Sequence, residues 1–182
     1  MSNRIWNAKK EHELKRTLTD VAARSPNLSL LSLQDAGAEL RAIVMFHIKT
    51  LVKPAGAEVS LAGPVVIGIR FAEHFLGAAP HPMEIATIFE PAFVFHPNCN
   101  SFGSICLAAG GHSESFTMER VLHQVYAAIV FNMSSVNTRP GDIANAAAAV
   151  YVRENAHRFP LTRRGLFEEL EQELRAGTKP LP

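Results

Sequence analysis

Phe-His-Pro-Asn-Cys-Asn-Ser-Phe-Gly-Ser-Ile-Cys-Leu, residues 95–107, is the stretch around which the rest of the chain is arranged. Its ends are apolar and its centre is rich in turn formers. Pro97 fixes a backbone dihedral and lacks a donor, and Asn98, Asn100, Ser101 and Gly103 all favour turns. A histidine, a side-chain amide and a thiol therefore share one short loop. That set supports thiol chemistry, with Cys106 as nucleophile and Asn98 as hydrogen-bond donor. It equally suits a surface turn followed by a buried structural cysteine, since free cysteine is often buried.

Outward from this stretch, the composition sets the class. The 182 residues suit one domain with elaborations. Hydrophobic residues make up 47% and charged residues 19%, a globular balance that supplies a core. A formal net charge of +1 gives no bulk field for nucleic acid or a membrane surface. Cys99 and Cys106 cannot build a disulfide framework and point to a reducing compartment. No zinc-ligand spacing is present, so no metal is expected. The segment 1–10 is polar with no apolar signal core, and the apolar run Ala144 to Val152 is far too short to span a bilayer. These features predict a soluble, cytoplasmic protein.

Before the central stretch, Ile5 to about Ala23 reads as a helix with Leu14, Leu18, Val21 and Ala22 near one face. Lys9, Lys10, Lys15 and Arg16 crowd its other positions. They form either a solvated face with weak charge pairs or a basic docking face. Ser25-Pro26-Asn27 ends the helix. Four strands are then expected: Leu28 to Leu33, the alternating run Leu40 to Ile48, Val65 to Phe71, and Glu84 to Phe89. Short turns between them, such as Pro54-Ala55-Gly56, predict an antiparallel meander. The segment His74 to Pro82 is irregular.

After Cys106 a glycine-containing loop leads to Thr117, a plausible N-cap with Glu119 in the first turn. Met118, Val121, Leu122, Val125, Tyr126 and Ile129 form a core-facing stripe. A second loop holds Arg139-Pro140-Gly141. Asp142 can then cap an alanine-rich helix running to about Ala156, and Pro160 breaks it. Thr162 can cap a last helix, 162–176, with Leu166, Phe167, Leu170 and Leu174 on one side, before a frayed tail. The whole reads as a single α+β domain over 1–182, with its core at about 5–157.

His96-Pro97-Asn98 followed by Gly103-Ser104-Ile105-Cys106-Leu107 resembles the active-site signature of ubiquitin-conjugating enzymes. In that family the Asn of a His-Pro-Asn turn lies eight positions before the catalytic Cys, which is the offset from Asn98 to Cys106. The order of elements from about Ile5 to His157 is similar too, and Pro80-His81-Pro82 sits where the family carries a proline-rich segment. The chain departs from the family between the Cys and the next helix. The family usually has a Trp there, whereas this chain has Ala108-Ala109-Gly110-Gly111-His112 and its only Trp is Trp6. The family's gate residue has no unique match, with Asp142 and Asn137 as candidates. This pattern looks more like the stand-alone conjugating enzymes of bacterial ubiquitin-like operons, some of which act in defence against phage.

The resemblance implies a ubiquitin-conjugating-enzyme-like fold and a cysteine transferase without cofactor. Its partners would be an activating enzyme, a ubiquitin-like modifier and a protein target. Cys106 would carry the modifier as a thioester and pass it to an amine. Asn98 would donate to the oxyanion, or alternatively brace its loop. His96 and Pro97 would shape the turn. Lys9, Lys10, Lys15 and Arg16 would dock the activating enzyme. Two other readings stay open from the residues: an inactive modifier-binding module, and a cysteine hydrolase pairing Cys106 with His81, His96 or His112.

Overall fold

The structure, a computed structural model, describes residues 2–78, 80–107, 117–137 and 143–167. It is mixed α+β, with helices before and after an antiparallel sheet. The N-terminal helix runs as α1 (Ser2–Lys9), a π-helical stretch (Lys10–Lys15) and α2 (Arg16–Arg24). Trp6, Leu14, Leu18 and Val21 are buried along it, so the apolar stripe read from the sequence does face the core. The basic positions differ from that reading. Lys10 is buried beside Trp6, and its ammonium donates to Asp35 at 2.7 Å and to the Gly37 carbonyl at 3.1 Å. The Trp6 indole donates to the same carbonyl. Lys10 thus pins the helix to the end of the first strand and is absent from any exposed face. Lys10 and Lys15, as hydrogen-bond donors, hold the Asp35 carboxyl well below its usual range.

The strands are β1 (Leu28–Asp35), β2 (Glu39–Phe46), β3 (Thr50–Val52), β4 (Ser60–Ala62), β5 (Val65–Ala72), β6 (Ala86–Glu90) and β7 (Ser104–Ile105). The main sheet has the order β1-β2-β5-β6-β7, with every neighbouring pair antiparallel. All four strands expected from the sequence are present. The two-residue β7 extends the sheet, and the short β3–β4 hairpin sits apart from it as a two-stranded sheet. Alternation on β2 and β5 sends Leu40, Ala42, Val44 and Phe46, with Val65, Ile67, Ile69 and Phe71, to one face. That face meets α2 and α3 (Met118–Ile129) in one continuous core.

Thr117 caps α3 as expected, its hydroxyl accepting from the Arg120 N–H. All six residues of the predicted stripe on this helix are buried. The alanine-rich helix α4 (Ala146–Glu154) is capped by Asn145, whose side chain accepts from the Ala148 N–H. Asp142, the residue expected to cap it, lies outside the described residues, as do His112, Arg139, Leu170 and Leu174.

The predicted last helix does not begin at Thr162: residues 162–167 are non-helical. Thr162 instead accepts from the Arg164 N–H, two residues on. The carbonyls a helix would use internally go elsewhere. Tyr126 donates to the Arg164 carbonyl, Asn27 to that of Gly165 and Ser25 to that of Leu166. The segment is a strap, with Leu166 pressed into the core. A smaller second core of Leu51, Phe95, Phe131, Val136, Ala148 and Val152 lies between the side hairpin and α4.

Candidate active site

The 95–107 stretch lies where the two cores meet, since Phe95 belongs to the smaller core while Cys99, Ile105 and Leu107 belong to the larger. Its two limbs fold back on each other as a narrow antiparallel ladder. Cys99 bridges Ile105, and Cys106 donates its N–H to the Asn98 carbonyl at 2.7 Å. The turn at the far end is built by Asn100, whose side-chain oxygen accepts from the Phe102 and Ser104 N–H groups at 2.9 and 3.0 Å. Gly103 has φ +82° there, and a Cβ on it would collide with the Ile88 carbonyl oxygen. Only glycine fits both conditions.

Pairing fixes which thiol faces where. Side chains alternate across a ladder with period two. Cys99 and Ile105 oppose each other and are both fully buried, so they point into the core. Cys106 comes one residue later, opposite Asn98, on the other face, and is partly exposed. The two cysteines are therefore unlike in chemistry. Burial pushes the Cys99 thiol up to about 12, with the neighbouring Cys106 adding to the effect. Cys99 is a core residue, and Cys106 is the thiol open to a reactant.

His96 is locked on every side. It is 1% exposed, its Nδ1 accepts from the Asn98 N–H at 2.9 Å, and its Nε2 donates to the Ala128 carbonyl at 2.7 Å. Its ring lies 4.2 Å from that of Phe131, centroid to centroid. Desolvation lowers its pKa to about 4. A neutral ring with both nitrogens engaged cannot serve Cys106 as a base. It ties the turn to the C-terminal end of α3, in keeping with the structural role expected for it. Pro97 does the same for α4, its carbonyl accepting from the Ala144 and Asn145 N–H groups. His81, the second histidine considered for a cysteine hydrolase, is exposed, and its Nδ1 accepts from the Met83 N–H.

Asn98 is 2% exposed, and both of its amide N–H donors are used. Its two N–H bonds go to the Cys106 carbonyl at 3.1 Å and the Ser135 carbonyl at 2.8 Å. Its oxygen accepts from the Asn137 N–H at 2.7 Å. Of the two roles open to Asn98, this geometry is that of the brace. The side chain sews the Cys106 strand to the loop after α3, and no donor is left over for an oxyanion.

Sequence reasoning missed the other parts of this network. Ser135 and Asn137 contribute backbone atoms, which leave no side-chain signature. The signal that was available is Asn132, whose side chain caps the short 3-10 turn Met133–Ser135 by accepting from Ser134. Asn137, a gate candidate by resemblance, meets Asn98 through its backbone N–H. Pro82 is also brought to the site, its carbonyl accepting from the Leu107 N–H at 3.1 Å.

The remaining basic residues of the first helix stand apart from Lys10. Lys9 pairs with Glu13, and Lys15 with Glu11 and Asp35, whereas Arg16 is well exposed and only loosely placed near Asp20 at 3.7 Å. No group of three or more potential metal ligands occurs among the described residues. No helix among them is long and apolar enough to cross a membrane. No protein-family model matches the chain, and no curated protein matches it.

Proposed function

We propose that this chain carries a ubiquitin-like modifier as a thioester on Cys106 and passes it to the amine of a target lysine. The observation that supports this most is the placement of two thiols on opposite faces of one ladder. Cys106 is partly exposed and held through its own backbone, while Cys99 is sealed in the core. Such a thiol, with no histidine base bonded to it among the described residues, suits exchange with an already activated acyl group. A thiolate fraction suffices for that step.

In the loading step the modifier's C-terminal carbonyl carbon bonds to Sγ of Cys106. Its bond to the activating enzyme's sulfur breaks, and the Cys106 proton passes to the departing thiolate. In the transfer step the lysine nitrogen attacks the same carbon, the C–S bond breaks, and Cys106 leaves as a thiolate while the nitrogen gives its proton to solvent. Asn98 serves both steps by fixing the Cys106 backbone. The same reading places the chain beside the stand-alone conjugating enzymes of bacterial ubiquitin-like operons and their antiphage role.

The test is a loading reaction with the activating enzyme, ATP and the modifier, resolved on a non-reducing gel. A thiol-sensitive adduct is expected on the native chain and on Cys99→Ala, and none on Cys106→Ala. An adduct that survives in Cys106→Ala, or cleavage of a modifier conjugate without the activating enzyme, overturns the assignment.

A further inference from the structure

Three phenylalanines face solvent beside the thiol hairpin. Phe89 is 55% exposed, Phe93 65% and Phe102 84%. They line one groove of about 770 Å³, together with Lys53 and the N-terminal end of α4. Each ring is placed by a specific device. Phe102 sits at the hairpin tip on the Asn100 side-chain bonds. Phe93 adopts φ +60°, a conformation unfavourable for a bulky residue, and its carbonyl accepts from the Lys53 N–H at 2.9 Å. Phe89 lies over Gly68, where a Cβ would come within 2.5 Å of the ring. A strained backbone position and a hairpin tip that present two exposed rings, beside a third laid on the sheet, mark a binding surface.

We infer that this groove binds an extended apolar segment of the acceptor protein, one that carries a carboxylate beside its apolar side chains. The inference rests on the thioester reading of Cys106. Three observations fix the occupant. The rings offer on the order of 400 Å² of apolar surface, about half of what each partner gives a standard stable interface. That suits a short segment better than a second copy of the chain. Lys53 reaches the groove with its ammonium 5.3 Å from the Phe95 ring, and it has no ion pair among the described residues. It is the charge an acidic side chain would meet. Finally, Phe102 stands at the hairpin tip four residues before Cys106, a contour of at most about 14 Å of chain. An extended peptide covers that distance with about four residues, so a segment held in the groove brings its own lysine to the thioester.

The experiment uses the full reduced chain and fluorescein-labelled octapeptides that alternate Leu and Ser, ending in Asp in one probe and in Lys in the other. Polarisation should show saturable binding of the Asp probe. Phe102→Ser and, separately, Phe93→Asn should each weaken it about ten-fold or more, as loss of an aromatic anchor does. Asn is chosen at 93 because it tolerates positive φ. Lys53→Ala should erase the preference for the Asp probe over the Lys probe. Melting curves establish that each variant is folded. Binding by neither probe, or binding indifferent to Phe102→Ser in a folded variant, overturns the inference. So does a dimer of the native chain in sedimentation that Phe102→Ser dissolves, which would assign the groove to a second copy. The activating enzyme is absent, so the outcomes separate. A groove that binds beside an unloadable Cys106 refutes the thioester reading and with it the acceptor as occupant, while a loadable Cys106 beside an inert groove refutes this inference alone.

Discussion

Replacing Asn98 by alanine separates a brace from a catalytic donor. The substitution removes three hydrogen bonds, to the Cys106 and Ser135 carbonyls and from the Asn137 N–H. At roughly 1 kcal/mol net each, the loss is about 3 kcal/mol. The cavity left by a fully buried amide adds to this, while Ser135 and Asn137, which are only partly buried, regain part of it from water. For a domain of this size 1 kcal/mol moves the melting temperature by about 2–4 °C, so a fall of about 6–12 °C is expected. The Cys106 strand loses its side-chain tie at the same time, so loading itself should slow. The assay is a thermal melt paired with single-turnover loading and discharge to free lysine. A catalytic donor gives the opposite pattern: an unchanged melt, normal loading, and discharge slower by about 100-fold, the cost of one missing oxyanion donor. That pattern would refute the brace and require Asn98 to leave its present partners during transfer.

His96 should make stability pH-dependent. Its folded pKa lies near 4 and its ordinary value is 6.5, so the unfolded chain takes up the proton first. The contribution is complete above about pH 6.5 and is lost as pH falls toward 4, worth about 3 kcal/mol in all. Melts from pH 7.5 to 4.5 should show this slope, and His96→Gln should flatten it; an equal slope in that variant refutes the assignment. On the first helix, Lys10→Glu should lower the melting temperature, because it replaces the buried ammonium that bonds Asp35 with a second carboxylate facing it, leaving Asp35 only Lys15 and the Gly37 N–H. Arg16→Glu should leave the melt unchanged and slow loading mainly at low salt, since exposed charges act on encounter rate. Loading identical to the native chain at low salt would remove this helix from the docking face. Gly103→Ala should cost several degrees in the melt, because the new Cβ meets the Ile88 carbonyl and the backbone sits at φ +82°; an unchanged melt would refute the tight turn.

What could be read from the residues was whatever one segment decides by itself. Period 3.6 placed Leu14, Leu18 and Val21 inward, and period two did the same for Leu40 to Phe46, because burial of one face is written locally. Thr117 was legible as a cap for the same reason: its hydroxyl bonds only three residues away. The family resemblance paired Asn98 with Cys106, and the ladder does set them side by side. The tertiary structure alone decided everything that depended on a distant partner. Lys10 looked like one more surface cation until Asp35, 25 residues on, met it beneath the helix. Residues 162–167 carried a helical pattern, yet Ser25, Asn27 and Tyr126 take the carbonyls of residues 164–166. The sequence left Asn98 between donor and brace, because its partners are the backbone atoms of residues 106, 135 and 137. Backbone groups are identical at every position, so no reading of side chains can say where they will be.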